Sequence, residues 1–248
     1  MRLTRKNYHS TKANTAFMSA SQFKAFMDCP ARAVAEIKGE YDKQTDAFLQ
    51  GAFLDAYFDK RTDEFRAEHP EMFKRDGELK AQFEKVNEAI AVIEADPAMR
   101  KLCRGKQQKI MTGEIGGVPF KIMIDSLHVD KTVDRKYMRD FSDVWKDGER
   151  MPWWKAYGYH YQAAIYQEIR RQNEGKRVPF DLVAISKEAV PDKAWVRFSD
   201  EYLRNVLDIV ECNAPLFKAM KDGLIKEPGC GECEYCRAKK RLTEPEII

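Results

Sequence analysis

Two carboxylates and a lysine near the middle of the chain have the types and spacing needed for phosphodiester chemistry. A strand-like run, 118–124, is followed directly by Asp125, and a second extended run leads into Asp134, Arg135 and Lys136. Side chains alternate along a strand, so Asp134 and Lys136 are expected on one face. Carboxylates at strand ends can hold a divalent metal that activates a water, and a lysine can orient that water or stabilise developing charge. The pattern predicts a metal-dependent nuclease in which Asp125, Asp134 and the Arg135 backbone carbonyl bind metal and Lys136 handles the water.

The C-terminal region holds a second group of residues that could bind a metal. Cys230, Cys233 and Cys236 form a C-x-x-C-x-x-C run, whereas Cys103 and Cys212 are isolated and are expected to be buried small side chains. The reducing cytosol argues against a disulfide framework in a chain without an export signal. Three cysteines at this spacing therefore predict metal or cluster ligation. Thiolates alone are compatible with either zinc or an iron–sulfur cluster.

Composition and charge narrow the class of protein. The chain has 248 residues, is 44% hydrophobic and 33% charged, and carries a net charge of +3. These values predict a globular domain with a substantial core. No apolar run approaches the ~18 residues of a membrane helix, and the basic start lacks a secretory core, so we expect a cytoplasmic protein. A basic cluster near the C-terminus is equally compatible with nucleic-acid binding and with a solvated tail; it contains Arg237, Lys239, Lys240 and Arg241.

Helical patterns dominate the first hundred residues. Residues 1–18 are expected to form a surface arm. Ser19 is expected to cap a helix over 22–37 that breaks at Pro30. Further helices are predicted over 45–58 and 78–95, with a charged loop over 60–78 between them. The core-facing side of the 45–58 helix is predicted to include Phe48, Phe53, Leu54 and Tyr57.

The pattern then changes to strands. Gly116-Gly117 between two extended runs predicts a hairpin. The remaining elements are expected to be a strand over 132–136, a helix over 153–172, strands over 180–186 and 194–198, and a helix over 200–221. This order predicts an α/β fold with a mixed central β-sheet flanked by helices. We interpret the chain as a single domain: 1–18 an arm, 19–105 helical, 106–200 the catalytic core, and 201–248 the last helix with the cysteines.

These motifs resemble those of the PD-(D/E)xK nuclease superfamily, which has a restriction-endonuclease-like core. Asp134-x-Lys136 matches its last motif. The RecB-type branch adds a Gln-x-x-x-Tyr motif on the following helix, which Gln162 and Tyr166 match. The resemblance implies that these two residues contact DNA or the active site, whereas a tyrosine-rich core stripe is the alternative interpretation.

A third motif of that branch is only partly present. The branch has Gly-x-x-x-His on an upstream helix, but here Gly51 is followed by Asp55. Related phage exonucleases use a carboxylate from this helix, so the resemblance implies that Asp55 is a further metal ligand.

The cysteine layout is similar to that of AddB and CRISPR-associated members of the superfamily. In those proteins a Cys-Pro after a short helix and three C-terminal cysteines hold a [4Fe–4S] cluster that joins the two ends of the domain. The resemblance assigns Cys29, Cys230, Cys233 and Cys236 to such a cluster, with Zn²⁺ as the alternative.

The resemblance covers about residues 19–240 and implies a phage-type exonuclease, similar in role to RecE and lambda exonuclease. It implies Mg²⁺- or Mn²⁺-dependent hydrolysis of linear duplex ends or single strands, 5′ to 3′, in phage or prophage recombination. A single-strand annealing protein is the implied partner, and oligomeric state is open because some relatives form rings. Two other classes remain open: a non-catalytic DNA-binding module on the same scaffold, and a zinc-stapled structural protein.

Overall fold

A mixed sheet forms the centre of the molecule. The computed structural model describes residues 1–41 and 45–241. The strands are β1 (Lys106–Ile115), β2 (Val118–Leu127), β3 (Thr132–Met138), β4 (Val144–Lys146), β5 (Glu149–Met151), β6 (Phe180–Ser186) and β7 (Lys193–Arg197). The main sheet has the order β1-β2-β3-β6-β7, and β4 and β5 form a separate small hairpin. β3 and β6 are parallel, and the other neighbours are antiparallel. The predicted mixed α/β fold is therefore confirmed.

β2 and β3 pair over a short distance only. Their register covers Ser126 with Val133 and Leu127 with Thr132, although β2 reaches back to Val118 and β3 continues to Met138. The two strands thus diverge inside the sheet, and we call the gap between them the fork. Asp125 and Asp134 are the first residues on each strand beyond the paired part.

Helices cover both faces of the sheet. They are α1 (Thr11–Ala16), α2 (Ala20–Asp28), α3 (Pro30–Lys38), α4 (Asp46–Phe58), α5 (Thr62–Glu68), α6 (Lys85–Ala95), α7 (Pro97–Cys103), α8 (Trp153–Ala156), α9 (Tyr159–Glu174), α10 (Asp200–Lys221) and α11 (Glu234–Lys239). One core packs α2, α3, α9 and α10 on the first face, and a second core packs α4 to α7 on the other. β6 serves both cores, since Leu182 and Ala184 face the first while Val183 and Ile185 face the second. This two-sided burial explains the apolar run 182–185 within the strand.

Several predicted element boundaries are confirmed. The Ser19 side chain accepts a hydrogen bond from the Gln22 N–H and caps α2. α2 ends at Asp28 and α3 begins at Pro30, as the proline predicted. Residues 242–248 of the predicted C-terminal part lie outside the described residues.

The helical region also contains three errors of prediction. The expected loop over 60–78 contains α5, because Phe65 is buried and packs edge-on against Phe53 at 5.6 Å between ring centres. The expected helix start at Glu78 is wrong, since α6 begins at Lys85 after a short 3₁₀ turn. Phe48 and Tyr57 are exposed, because the buried stripe of α4 runs through other positions, including Leu49, Phe53 and Ala56.

The N-terminal segment lies along the open side of β2. The Met18 N–H donates to Pro119 O, and the Lys121 N–H donates back to Met18 O, both at 2.8 Å. The buried Lys121 ammonium donates to Asn14 Oδ1 at 2.7 Å and to the Tyr8 carbonyl. Main-chain and side-chain hydrogen bonds therefore tie this segment to the β2 side of the fork.

None of the helices in the described part of the chain combines the length and the apolar character that a membrane-spanning helix requires.

Candidate active site and cysteine centre

The two central carboxylates face each other where the fork opens. Asp125 Oδ2 accepts a hydrogen bond from the Arg135 N–H at 3.0 Å and so bridges the gap between the strands. Both carboxylates were expected at strand ends, and this is wrong, because β2 continues to Leu127 and β3 to Met138. Pairing between the strands, rather than the strands themselves, stops at the carboxylates.

Asp134 and Lys136 form the closest charge pair of the cleft. Lys136 Nζ lies 2.6 Å from Asp134 Oδ2, without hydrogen-bond geometry, and donates to Arg135 O at 3.2 Å. Burial raises the pKa of Asp134 to about 6 against the opposing effect of Lys136. Burial by itself would lower the pKa of Lys136, but the charges of Asp134 and Asp125 outweigh it and raise that pKa. Lys136 is therefore a cation at neutral pH.

α9 brings the Gln-x-x-x-Tyr pair to the fork from the first face. Gln162 Nε2 donates to Asp134 Oδ1 at 2.6 Å. Tyr166 donates its hydroxyl hydrogen to Met123 O at 3.0 Å, so it supports the main chain of β2. The two residues thus fasten both sides of the fork to one helix.

Asp55 approaches from α4 on the opposite face and is held by Arg135. Arg135 donates from Nε to Asp55 Oδ1 at 3.0 Å and from Nη1 to Gln107 Oε1 at 2.7 Å. Its guanidinium also lies 3.6 Å from the buried Asp59. Burial and the charge of Asp125 raise the pKa of Asp55 to about 7. The arginine was expected to contribute only its carbonyl, and its side chain proves to anchor α4 to the sheet.

The oxygen donors suit a hard divalent cation in an open site. The cleft, a cavity of about 730 Å³, is lined by Asp55, Asp125, Asp134, Lys136 and Gln162, among other residues. Within residues 1–41 and 45–241, the only set of three or more metal-ligating side chains that converges within 4.8 Å is the cysteine group. Mg²⁺ takes one or two carboxylates and retains several waters, so the carboxylates at the fork fit that ion without a closed cage.

Two lysines of the cleft were not predicted from the sequence motifs. Lys24 reaches in from α2, and its Nζ lies 3.3 Å from Gln162 Oε1. Lys121 lines the cavity from β2. The two-residue periodicity from Asp125 back along β2 could have suggested Lys121, but Lys24 belongs to none of the recognised motifs.

The four assigned cysteines do come together. Cys29, at the junction of α2 and α3, has its Sγ 3.6 Å from that of Cys236, which is 207 positions away. The Sγ atoms of Cys230 and Cys236 are 3.9 Å apart, and all four sulfurs lie within 4.8 Å of one another. Backbone N–H groups of Cys233 and Glu232 lower the pKa of Cys230 to about 6, which favours its thiolate.

The two isolated cysteines lie apart from this centre. Cys103 is buried as expected, whereas Cys212 is exposed and its predicted burial is wrong. Cys212 stands on an outward-facing turn of α10, whose buried positions include Val210 and Ala214.

Comparison with known proteins agrees with this geometry. A divided mixed sheet covered by helices, with Asp-x-Lys at the division, defines a nuclease-like fold of the PD-(D/E)xK superfamily. The chain belongs to the family described as PDDEXK-like domain of unknown function (DUF3799), whose model matches residues 19–239. It is similar to the crystal structure of "Putative exonuclease" from Eubacterium rectale, with 36% identity and a TM-score of 0.92. That match covers 100% of this chain and 97% of the other. No curated protein matches the sequence. The family and the relative together support a nuclease.

Proposed function

We propose that the protein is a Mg²⁺- or Mn²⁺-dependent exonuclease that hydrolyses linear DNA. The observation that carries this proposal is the contact of one buried carboxylate, Asp134, with both Lys136 and Gln162, opposite Asp125 across the fork. Asp125, Asp134 and the Arg135 carbonyl would hold the metal, with Asp55 assisting. When bound, such an ion supplies an activated water and neutralises charge on the phosphate.

The chain's own residues prepare the site for that chemistry. Gln162 holds Asp134 Oδ1, which leaves Oδ2 directed at Lys136. Lys136 remains protonated and can donate to a water or to developing negative charge on the phosphate. Asp55 is fixed by Arg135 and faces the same cavity. The hydrogen bond from the Tyr166 hydroxyl to Met123 O links α9 to β2.

The finer features of the proposal are attack from DNA ends, 5′ to 3′ polarity and a role in phage or prophage recombination. The Eubacterium rectale relative is described as a "Putative exonuclease", and the motifs resemble those of phage enzymes that work beside a single-strand annealing protein. The proposed place of action is the cytoplasm of the bacterial host.

The test is degradation of a linear duplex labelled at either the 5′ or the 3′ end. It is run with Mg²⁺, with Mn²⁺ and with chelator, using wild type, Asp134→Asn, Lys136→Met and the control Asp208→Asn, whose side chain is exposed on α10. We expect early loss of the 5′ label, at least about 100-fold slower cleavage in the two cleft variants, and no change in the control. Bound but uncut DNA in every lane would favour the DNA-binding module instead.

We further infer that the four cysteines hold one metal centre that joins the chain ends. Around a tetrahedral zinc with Zn–S bonds of about 2.3 Å, neighbouring sulfurs stand about 3.8 Å apart, and the closest pairs here are 3.6 and 3.9 Å apart. A [4Fe–4S] cubane binds each cysteine thiolate to a different iron, so the four cysteine sulfurs must stand farther apart than around a single ion. The spacing therefore favours the zinc alternative over the [4Fe–4S] cluster that the resemblance implies.

Metal analysis of anaerobically purified protein tests this second proposal. We expect about one zinc per chain and no broad visible absorption. Iron with acid-labile sulfide and a broad visible band would instead establish the cluster.

A further inference from the structure

Lys24 enters the cleft opposite Lys136 and shares its surroundings. Its Nζ lies 4.8 Å from the centre of the Tyr159 ring, and Lys136 Nζ lies 5.4 Å from the same centre. Lys24 also contacts Gln162, the residue that orients Asp134. Both ammonium groups thus lie close to one aromatic ring beside the central carboxylate.

The aliphatic part of the Lys24 side chain packs against the residue that precedes α9. Gly158, the residue before that helix, has φ +66°, and a Cβ added there would lie 2.9 Å from Lys24 Cδ and 3.1 Å from Lys24 Cγ. The lysine stem therefore occupies the space that any other residue at position 158 would need. A side chain packed so closely is held in one direction, with its ammonium group directed to Gln162.

The charge of Lys24 is balanced only at longer range, by the carboxylates of Asp134 and Asp28. Among the described residues, no carboxylate lies within ion-pair distance, and the polar contact of its ammonium is the neutral amide of Gln162. Burial, reinforced by the charge of Lys136, lowers the pKa of Lys24 to about 8, which still leaves it mostly protonated at pH 7. A desolvated ammonium beside a second ammonium costs free energy unless an anion joins them.

The other missed lysine differs in this respect. The Lys121 ammonium is already bound by the Tyr8 carbonyl and by Asn14 Oδ1, so it holds the N-terminal segment in place. The Lys24 ammonium instead has one longer hydrogen bond, to Gln162 Oε1 at 3.3 Å, and lies over the Tyr159 ring.

We propose that Lys24 is a substrate-binding residue that contacts a backbone phosphate of the DNA strand in the cleft, beside the phosphate on which Lys136 acts. This proposal rests on the proposed function, because it takes DNA as the ligand of the same cleft. Lys136 is already paired with Asp134, so a phosphate that reaches Lys24 would supply the direct anionic partner that Lys24 lacks among the described residues.

The salt dependence of DNA binding tests the proposal without cleavage. Wild type, Lys24→Met and Lys24→Gln are titrated in chelator against a labelled linear duplex over a range of salt concentrations. The logarithm of affinity falls linearly with the logarithm of salt concentration. Loss of one phosphate contact should make this negative slope shallower by about 0.9. Lys24→Arg should retain the wild-type slope, because it retains the charge.

The control is Lys218→Met on α10, a residue outside the cleft lining that is ion-paired with Asp222. Its slope should equal that of wild type. A purely structural role for Lys24 predicts lower affinity at an unchanged slope, and that result in both neutral variants would overturn the proposal. Gly158→Ala should make the slope shallower, as the neutral variants do, because the new methyl group displaces the lysine stem from its position.

The cleavage assay separates this proposal from the proposed function. If wild type cuts DNA and the neutral variants keep its slope, the assignment of Lys24 is wrong and the nuclease remains. If wild type binds without cutting, the nuclease proposal fails while the slope still decides the role of Lys24. If wild type neither cuts nor binds linear DNA, both proposals fail.

Discussion

Arg135 and its two neighbours in β3 point to opposite faces of the sheet. Asp134 contacts Lys136 and Gln162 on one face, where Lys24 in turn contacts Gln162, while the Arg135 side chain, 2% exposed, reaches Asp55 on the other. Strand alternation predicts the shared face of the aspartate and the lysine. It does not predict the arginine's partner, because Asp55 lies 80 positions away on a helix whose docking depends on the whole fold.

The buried side of the Arg135 network gives the first prediction. Asp59, 1% exposed in its side chain, lies among Arg5, Arg61 and Arg135. Asp59→Asn removes the anion from this group, and breaking such a buried pair should lower the free energy of unfolding by about 3 kcal/mol. Urea denaturation measures the change.

The matched variant for that experiment is Asp55→Asn. Its side chain is 37% exposed, and burial beside Asp125 already disfavours its ionised form by raising the pKa to about 7, so the expected cost is no more than about 1 kcal/mol. Equal losses for the two variants would show that burial does not set the strength of these pairs.

At the residue scale, contacts were predictable where a motif carried them. The Gln162–Asp134 contact joins two residues of the recognised motifs. Lys24 makes its contact with Gln162 across 138 positions and has no motif of its own. Packing beside Gly158, rather than any local pattern, brings it into the cleft.

At the element scale, the two adjacent glycines of the β1–β2 hairpin meet different requirements, one of backbone conformation and one of packing space. Gly116 and Gly117 both have positive φ, at +58° and +73°, as a tight hairpin turn requires. A Cβ on Gly116 would lie 2.6 Å from the Glu211 carbonyl oxygen of α10, whereas one on Gly117 would meet nothing within 4 Å. The turn therefore also serves as a contact surface for α10.

The second prediction follows from that difference. Gly117→Ala should lower the free energy of unfolding by about 1 kcal/mol, the cost of a left-handed alanine. Gly116→Ala should cost about 3 kcal/mol, because the helix backbone must also move. Chemical denaturation of both variants measures the difference, and similar values would mean that α10 yields freely to the added methyl.

Strong local signals made the hairpin, the Ser19 cap and the long helices predictable. α5 was missed because its composition is charged and its one buried aromatic, Phe65, gains its packing partner only in the fold. The fork was beyond prediction for a related reason. Each strand has an ordinary sequence, and the end of their pairing depends on what surrounds them.

At the scale of the whole molecule, a metal held by the four cysteines, as proposed above, would close a loop of most of the chain. Cys29 and Cys236 are 207 positions apart, and the entropy of closing a loop of that length corresponds to about 5 kcal/mol. Cys29→Ser should therefore lower the melting temperature strongly, and a strong chelator should do the same to wild type. Calorimetry measures both effects.

Cys212→Ser is the control, because this exposed thiol on α10 stands outside the centre. Its melting temperature should be unchanged. A Cys29→Ser protein as stable as this control would show that the centre does not hold the ends together.

The fork also leaves an unpaired strand edge inside the protein, and the N-terminal segment covers part of it. Met18 pairs with the open side of β2 at Phe120, and Tyr8 and Asn14 bind the neighbouring Lys121. A free edge is a template for pairing with another chain. A protein lacking residues 1–18 should consequently self-associate as its concentration rises, which light scattering would detect. The segment that lines the cleft with Tyr8 and Asn14 would then also protect the protein against aggregation.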